Sequence, residues 1–124
     1  MKKVILMAGI ALAAASTVQA NPSHTVTLTA PYVAMCENKA NVAEQNFCHG
    51  FGQGVYDTYL MSRHPKSAPH YVCPPDPAPK RSDVLAEFIV WANQNKQFAD
   101  KSAADTIMRY LAGRYPCPAP KKRG

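Results

Sequence analysis

Residues 41–63, NVAEQNFCHGFGQGVYDTYLMSR, decide the fold. Val42, Phe47, Phe51, Val55 and Tyr59 recur close to every fourth position, the spacing that places apolar side chains on one face of an α-helix. Asn41 stands where a cap belongs, and Glu44 three residues on fits the looser form of the capping box. The stretch predicts one long helix with that stripe in the core and Cys48 beside it. Gly50, Gly52 and Gly54 interrupt the pattern, and each costs about 1 kcal/mol relative to alanine in a helix interior. Either the helix breaks there or a neighbouring helix packs very close. The apolar spacing stays in phase on both sides, so close packing is the expectation. Asp57, beside Tyr56, reads as a hydrogen-bond acceptor for a neighbouring helix or loop rather than as a general base.

Upstream, a short helix begins near Thr29 with Pro31 in its first turn, where proline is tolerated. It carries Tyr32, Val33 and Cys36 and ends near Asn38. His24 to Leu28 alternates weakly and reads at most as extended chain. Downstream, six of the 11 prolines fall between His64 and Arg81. Neither a helix nor a central strand survives that density, so this is a loop, pinned by Cys73. Ser82 then caps a third helix to about Asn95, with Val84, Leu85, Phe88, Ile89 and Ala92 inward and Trp91 at a boundary. Ser102 with Asp105 resembles a capping box and opens a fourth helix to Arg114, with Ala103, Ile107, Tyr110 and Leu111 inward. Tyr115-Pro116-Cys117-Pro118 ends it, and residues 119–124 read as a disordered basic tail. The expected fold class is all-α: about four helices in one small domain over residues 21–118.

The N-terminus sets the compartment. Lys2 and Lys3, an apolar run from Val4 to Ala15, and Val18-Gln19-Ala20 follow the order of a secretory signal peptide, with cleavage expected after Ala20. The run is too short for a membrane anchor, since a spanning helix needs about twenty apolar residues. Without Lys2 and Lys3, the 14 basic residues fall to 12 against 8 acidic ones. This mild basic excess suits solubility, contact with anionic cell-surface polymers, or an acidic partner protein. It does not form the basic, aromatic-interleaved face of a nucleic-acid binder. Cys36, Cys48, Cys73 and Cys117 imply two disulfides in an exported chain. Three pairings are open, and Cys36–Cys48 with Cys73–Cys117 is the one favoured.

No catalytic set emerges. There is no Cys-x-x-Cys redox pair, no Gly-x-Ser-x-Gly elbow, and the serines lie at loops and helix ends, where serine belongs for capping. Cys48, His49, His64, His70 and Cys73 match no zinc spacing. We therefore expect no enzyme activity, metal or cofactor, and look instead for a protein partner. Two surfaces are candidates for it. One is the proline loop, with His64, Pro65, Lys66, Pro69 and His70, which loses little entropy on docking. The other is the polar connection containing Lys96, Gln97 and Lys101.

Phe47-Cys48-His49-Gly50-Phe51-Gly52-Gln53-Gly54-Val55-Tyr56-Asp57 resembles the Cys-x-Gly-aromatic-x-x-Gly-x-x-Asp block of the Rap1a/Tai family of immunity proteins. Cys36 ahead of the block fits that family. So do Cys73-Pro74 after a loop, the apolar helix Val84 to Trp91, and the helix from Ser102 closing on Tyr115-Pro116-Cys117. The resemblance covers roughly residues 30–118. It implies a small, exported, disulfide-bonded helical protein that binds a peptidoglycan amidase effector of type VI secretion and blocks its catalytic cleft, often as a homodimer. Phe47, Gly50, Gly54 and Asp57 would then be structural, with Asp57 anchoring a loop. The chain departs from the family at Cys73-Pro74-Pro75-Asp76, where Cys-Pro-x-Gly is usual, and in the proline content of the loop. The alternative is a periplasmic structural or stress protein of the same fold with no toxin partner.

Overall fold

The computed structural model describes residues 25–62, 69–119 and 121. The expected signal peptide, His64, Pro65, Lys66 and most of the basic tail lie outside them. Four α-helices make up the domain: α1 (Thr29–Glu37), α2 (Val42–Ser62), α3 (Arg81–Gln94) and α4 (Ala103–Arg114). A 3-10 turn, Lys96–Phe98, lies between α3 and α4. Among the described residues the only strand-like pairing is an isolated antiparallel bridge between Leu28 and Ser102. The all-α expectation holds, with each helix within a residue or two of its predicted ends.

α1 sits at the centre of the bundle, and both its ends are satisfied by distant chain. The first N–H groups of a helix have no partner inside it. Here Thr29 N–H donates to Lys101 O at 2.9 Å and Ala30 N–H to Ala99 O at 3.0 Å. The buried Thr29 hydroxyl lies 3.0 Å from Lys101 O and 2.8 Å from the hydroxyl of Thr106, which is fully buried on α4. At the other end Gln45 of α2 donates its side-chain amide to Cys36 O at 3.0 Å and Asn38 O at 3.1 Å. In the middle Tyr32 is fully buried, and its hydroxyl donates to Cys48 O at 2.7 Å. Its ring packs against Phe51 and Phe88, with centroids 5.0 and 6.1 Å away. Burial pushes the Tyr32 phenol up to about 12.

Both disulfides take the favoured pairing. Cys36–Cys48 staples α1 to α2 across a separation of 12 residues, and Cys73–Cys117 ties the proline arm to the C-terminal segment across 44. The arm is also held by Tyr59 of α2, whose oxygen accepts the Tyr71 and Val72 N–H groups at 3.1 and 3.3 Å. Cys73 N–H donates to Tyr115 O at 2.8 Å.

Three local expectations need correction. The α2 stripe is displaced: Val42 is 72 % exposed and Phe47 43 %, while Cys48 and Tyr59 are buried. The bond to Cys36 turns Cys48 inward, and Phe47, one position round the helix, rests on the edge of the Tyr32 ring. Ser82 does not cap α3, which starts at Arg81 with Lys80 before it and no side-chain cap bond. Ser102 does stand at the α4 cap position, but its side chain makes no cap bond, and Asp105 instead pairs with Arg109 at 2.7 Å. At α2 half of the expected box forms: Asn41 Oδ1 accepts the Glu44 N–H at 3.1 Å, while the Glu44 carboxylate turns to Asn38.

Candidate functional site

The cysteine chemistry is closed. All four cysteines are in disulfides and none is free. Among the described residues no group of three His, Cys, Asp or Glu could hold a metal ion. Asp57 is exposed and accepts a 2.6 Å hydrogen bond from Gln53, one turn earlier on α2. Its partner among the described residues is therefore its own helix, not the neighbouring helix or loop expected.

The glycines separate into two kinds. A Cβ built on Gly52 would meet Tyr32 Oη at 3.5 Å, an ordinary contact beside the core. Built on Gly50 or Gly54 it would meet nothing within 4 Å. The close helix approach expected at these positions is thus absent at Gly50 and Gly54. The helix nevertheless runs unbroken through all three. Spaced three and four residues apart, Phe47, Gly50, Gly54 and Asp57 lie along one exposed face of α2.

The polar connection is ordered by the bonds that cap α1. Lys96, Gln97 and Lys101 are all exposed on it. Lys96 Nζ donates to Asn93 Oδ1 at 2.7 Å, Gln97 Nε2 to Asn95 Oδ1 at 3.2 Å, and Lys101 pairs with Asp100 at 3.4 Å. Trp91 stacks on Phe98 with centroids 5.6 Å apart and planes 16° from parallel, which fixes the turn against α3. Pro69 and His70 of the proline loop are exposed as well. The next residue, Tyr71, lines a shallow groove with Gly54, Thr58 and Ser62 of α2 and with Ala104 and Asp105 of α4. The described end of the loop and the start of α4 therefore border one groove. Sequence reasoning missed Tyr71, which is half exposed and packs edge-on against Tyr59 at 4.6 Å. An aromatic beside a run of prolines was the available signal.

Elsewhere, α3 and α4 are joined by an acid held by two donors. Arg114 Nε donates to Glu87 Oε2 at 2.8 Å, and the Tyr110 hydroxyl donates to the same oxygen at 3.0 Å. The Arg114 bond, then the Tyr110 bond, hold the Glu87 carboxyl below its usual range. Burial and Glu87 together push the Tyr110 phenol above its ordinary value. The arrangement binds two helices together and offers no nucleophile.

A family model described as Rap1a immunity proteins matches residues 27–117. That span takes in all four helices and both disulfides. The chain belongs to the Rap1a immunity protein family. No curated protein and no solved structure matches it. Rap1a immunity proteins are inhibitors that act by binding a protein effector. Within the described residues, no helix is long and apolar enough to cross a membrane.

Proposed function

We propose that the protein works in the periplasm as an immunity protein, docking on the catalytic cleft of a peptidoglycan amidase effector delivered by type VI secretion and excluding the wall substrate. The observation that carries this reading is the family match across the whole ordered domain. Two disulfides support an oxidising compartment, as does the signal-like sequence of residues 1–20. The docking element we favour is the Lys96–Lys101 connection together with the proline loop. The connection is held in shape by the α1 caps, and a surface fixed before binding loses less entropy on association. Its lysines would steer an acidic rim on the effector.

The test is peptidoglycan hydrolysis by an amidase encoded beside this gene, with and without the protein. Hydrolysis should stop at a stoichiometric amount of the protein. Undiminished hydrolysis at excess rejects the reading for that pair. Replacing Lys96 and Lys101 together by Glu should weaken inhibition at least about tenfold. We further propose that the inhibitor is a homodimer; a one-chain mass in light scattering at every concentration rejects that.

A further inference from the structure

α2, α3 and α4 do not close on one another completely. Between them lies a cavity of about 320 Å³. Protein interiors hold few voids larger than a water molecule, whereas small-molecule sites begin at about 300 Å³. Its walls are apolar: Val84, Leu85 and Phe88 of α3 face Ile107 and Leu111 of α4, and Pro79 of the arm lies across one side. The polar groups lie among the half-buried and exposed lining residues. They are His49, Gln53 and Tyr56 of α2 and Arg81, the first residue of α3, beside the buried Tyr32, Tyr110 and Tyr115; Arg81 is the one lining side chain with a fixed charge. No carboxylate lines the cavity. The neighbouring Asp57 is hydrogen-bonded to Gln53. Arg81 makes no ion pair among the described residues.

We propose that this cavity binds a small anionic amphiphile, one carboxylate on an apolar body of medium-chain length, with the body between α3 and α4 and the carboxylate at Arg81. The charge of the lining decides the class. A cationic or neutral ligand would leave the Arg81 guanidinium without a counter-charge, whereas a carboxylate matches its planar donors in pairs. The apolar walls then set the length of the chain. The site is separate from the Lys96–Lys101 connection, shares Pro79 with the proline loop, and does not depend on the immunity reading.

The experiment is calorimetric titration of the disulfide-bonded protein with octanoate, hexanoate and octan-1-ol, alongside methyl chemical-shift mapping. Octanoate should bind saturably and shift Val84, Leu85, Ile107 and Leu111. Hexanoate should bind about fifteenfold more weakly, at about fourfold per methylene lost. Octan-1-ol should be about tenfold weaker than octanoate. Arg81→Gln, at an exposed position, should weaken octanoate about tenfold and leave octan-1-ol unchanged. Leu85→Trp should fill the cavity and abolish both; Val84→Phe serves if that variant does not fold. No saturable octanoate binding, equal octanoate binding by Arg81→Gln, or shifts mapping elsewhere would overturn the proposal. Sedimentation with phosphatidylglycerol vesicles but no binding of free octanoate would overturn it too, by making the source a bilayer rather than a soluble acid.

Discussion

Gly50 and Gly54 sit in the middle of α2 with open space where a side chain would stand. A glycine in a helix interior holds the chain less firmly than alanine, through the entropy the backbone must lose. Nothing among the described residues offsets that cost at these two positions. Gly50→Ala and Gly54→Ala should therefore each raise stability by up to about 1 kcal/mol, read as an upward shift in the denaturant midpoint at unchanged slope. Gly52→Ala should gain at least as much, because its new methyl would stand in ordinary van der Waals contact with the Tyr32 hydroxyl at 3.5 Å. A loss at Gly50 or Gly54 would mean that the close approach read from the sequence exists after all. This is also where the sequence was hardest to read. Apolar periodicity locates a helix face to within one residue, about a quarter turn, and cannot tell Phe47 from Cys48 as the inward position. The disulfide decides between them, and that choice depends on α1.

Two tyrosine hydroxyls join elements to each other. Tyr32 ties α1 to the α2 backbone, and Tyr110 ties α4 to Glu87 of α3. Both phenols ionise higher in the folded chain than at their ordinary value of 10. Above pH 10 the unfolded chain sheds these protons and the folded chain retains them. The stability they contribute is thus complete below pH 10 and is lost as pH climbs toward the folded values. The expected loss is on the order of 1–2 kcal/mol just above pH 10, measured by denaturant unfolding, and Tyr110→Phe should reduce it. A flat stability profile through that range would contradict the burial of both rings. The helices themselves were legible from periodicity, and the proline run marked where α2 must stop and α3 may start. Their caps were less so. Ser82 looked like a cap in sequence, but the backbone enters α3 one residue earlier. The groups that hold α1, Gln45 at one end and the carbonyls of Ala99 and Lys101 at the other, belong to other elements. No local pattern announces them.

At the scale of the whole molecule the two disulfides dominate. A chain-entropy account assigns about 3 kcal/mol to the shorter loop and about 4 kcal/mol to the longer. A domain of this size has about 5–15 kcal/mol in total. Replacing Cys73 and Cys117 together by Ser should lower Tm by more than about 10 °C, and the Cys36 and Cys48 pair should have a smaller effect. An unchanged melt in either double variant would remove the disulfides from the account of stability. That two disulfides form was legible from an even cysteine count in a chain whose N-terminal sequence resembles a signal peptide, but the partner surface was not, because exposure alone does not distinguish a docking residue from a solvated one. The position of α1 has a further consequence, for the order in which the chain can fold. Its first turn is completed by residues 72 positions further on, and the arm before α3 closes only on Cys117. A chain emerging N-terminus first from a ribosome or a translocation pore can therefore form the α1–α2 hairpin early. It has no finished core until Tyr115 and Cys117 have cleared the exit. Until then it remains an open substrate for chaperones and proteases, and any truncation before Tyr115 would leave it so permanently.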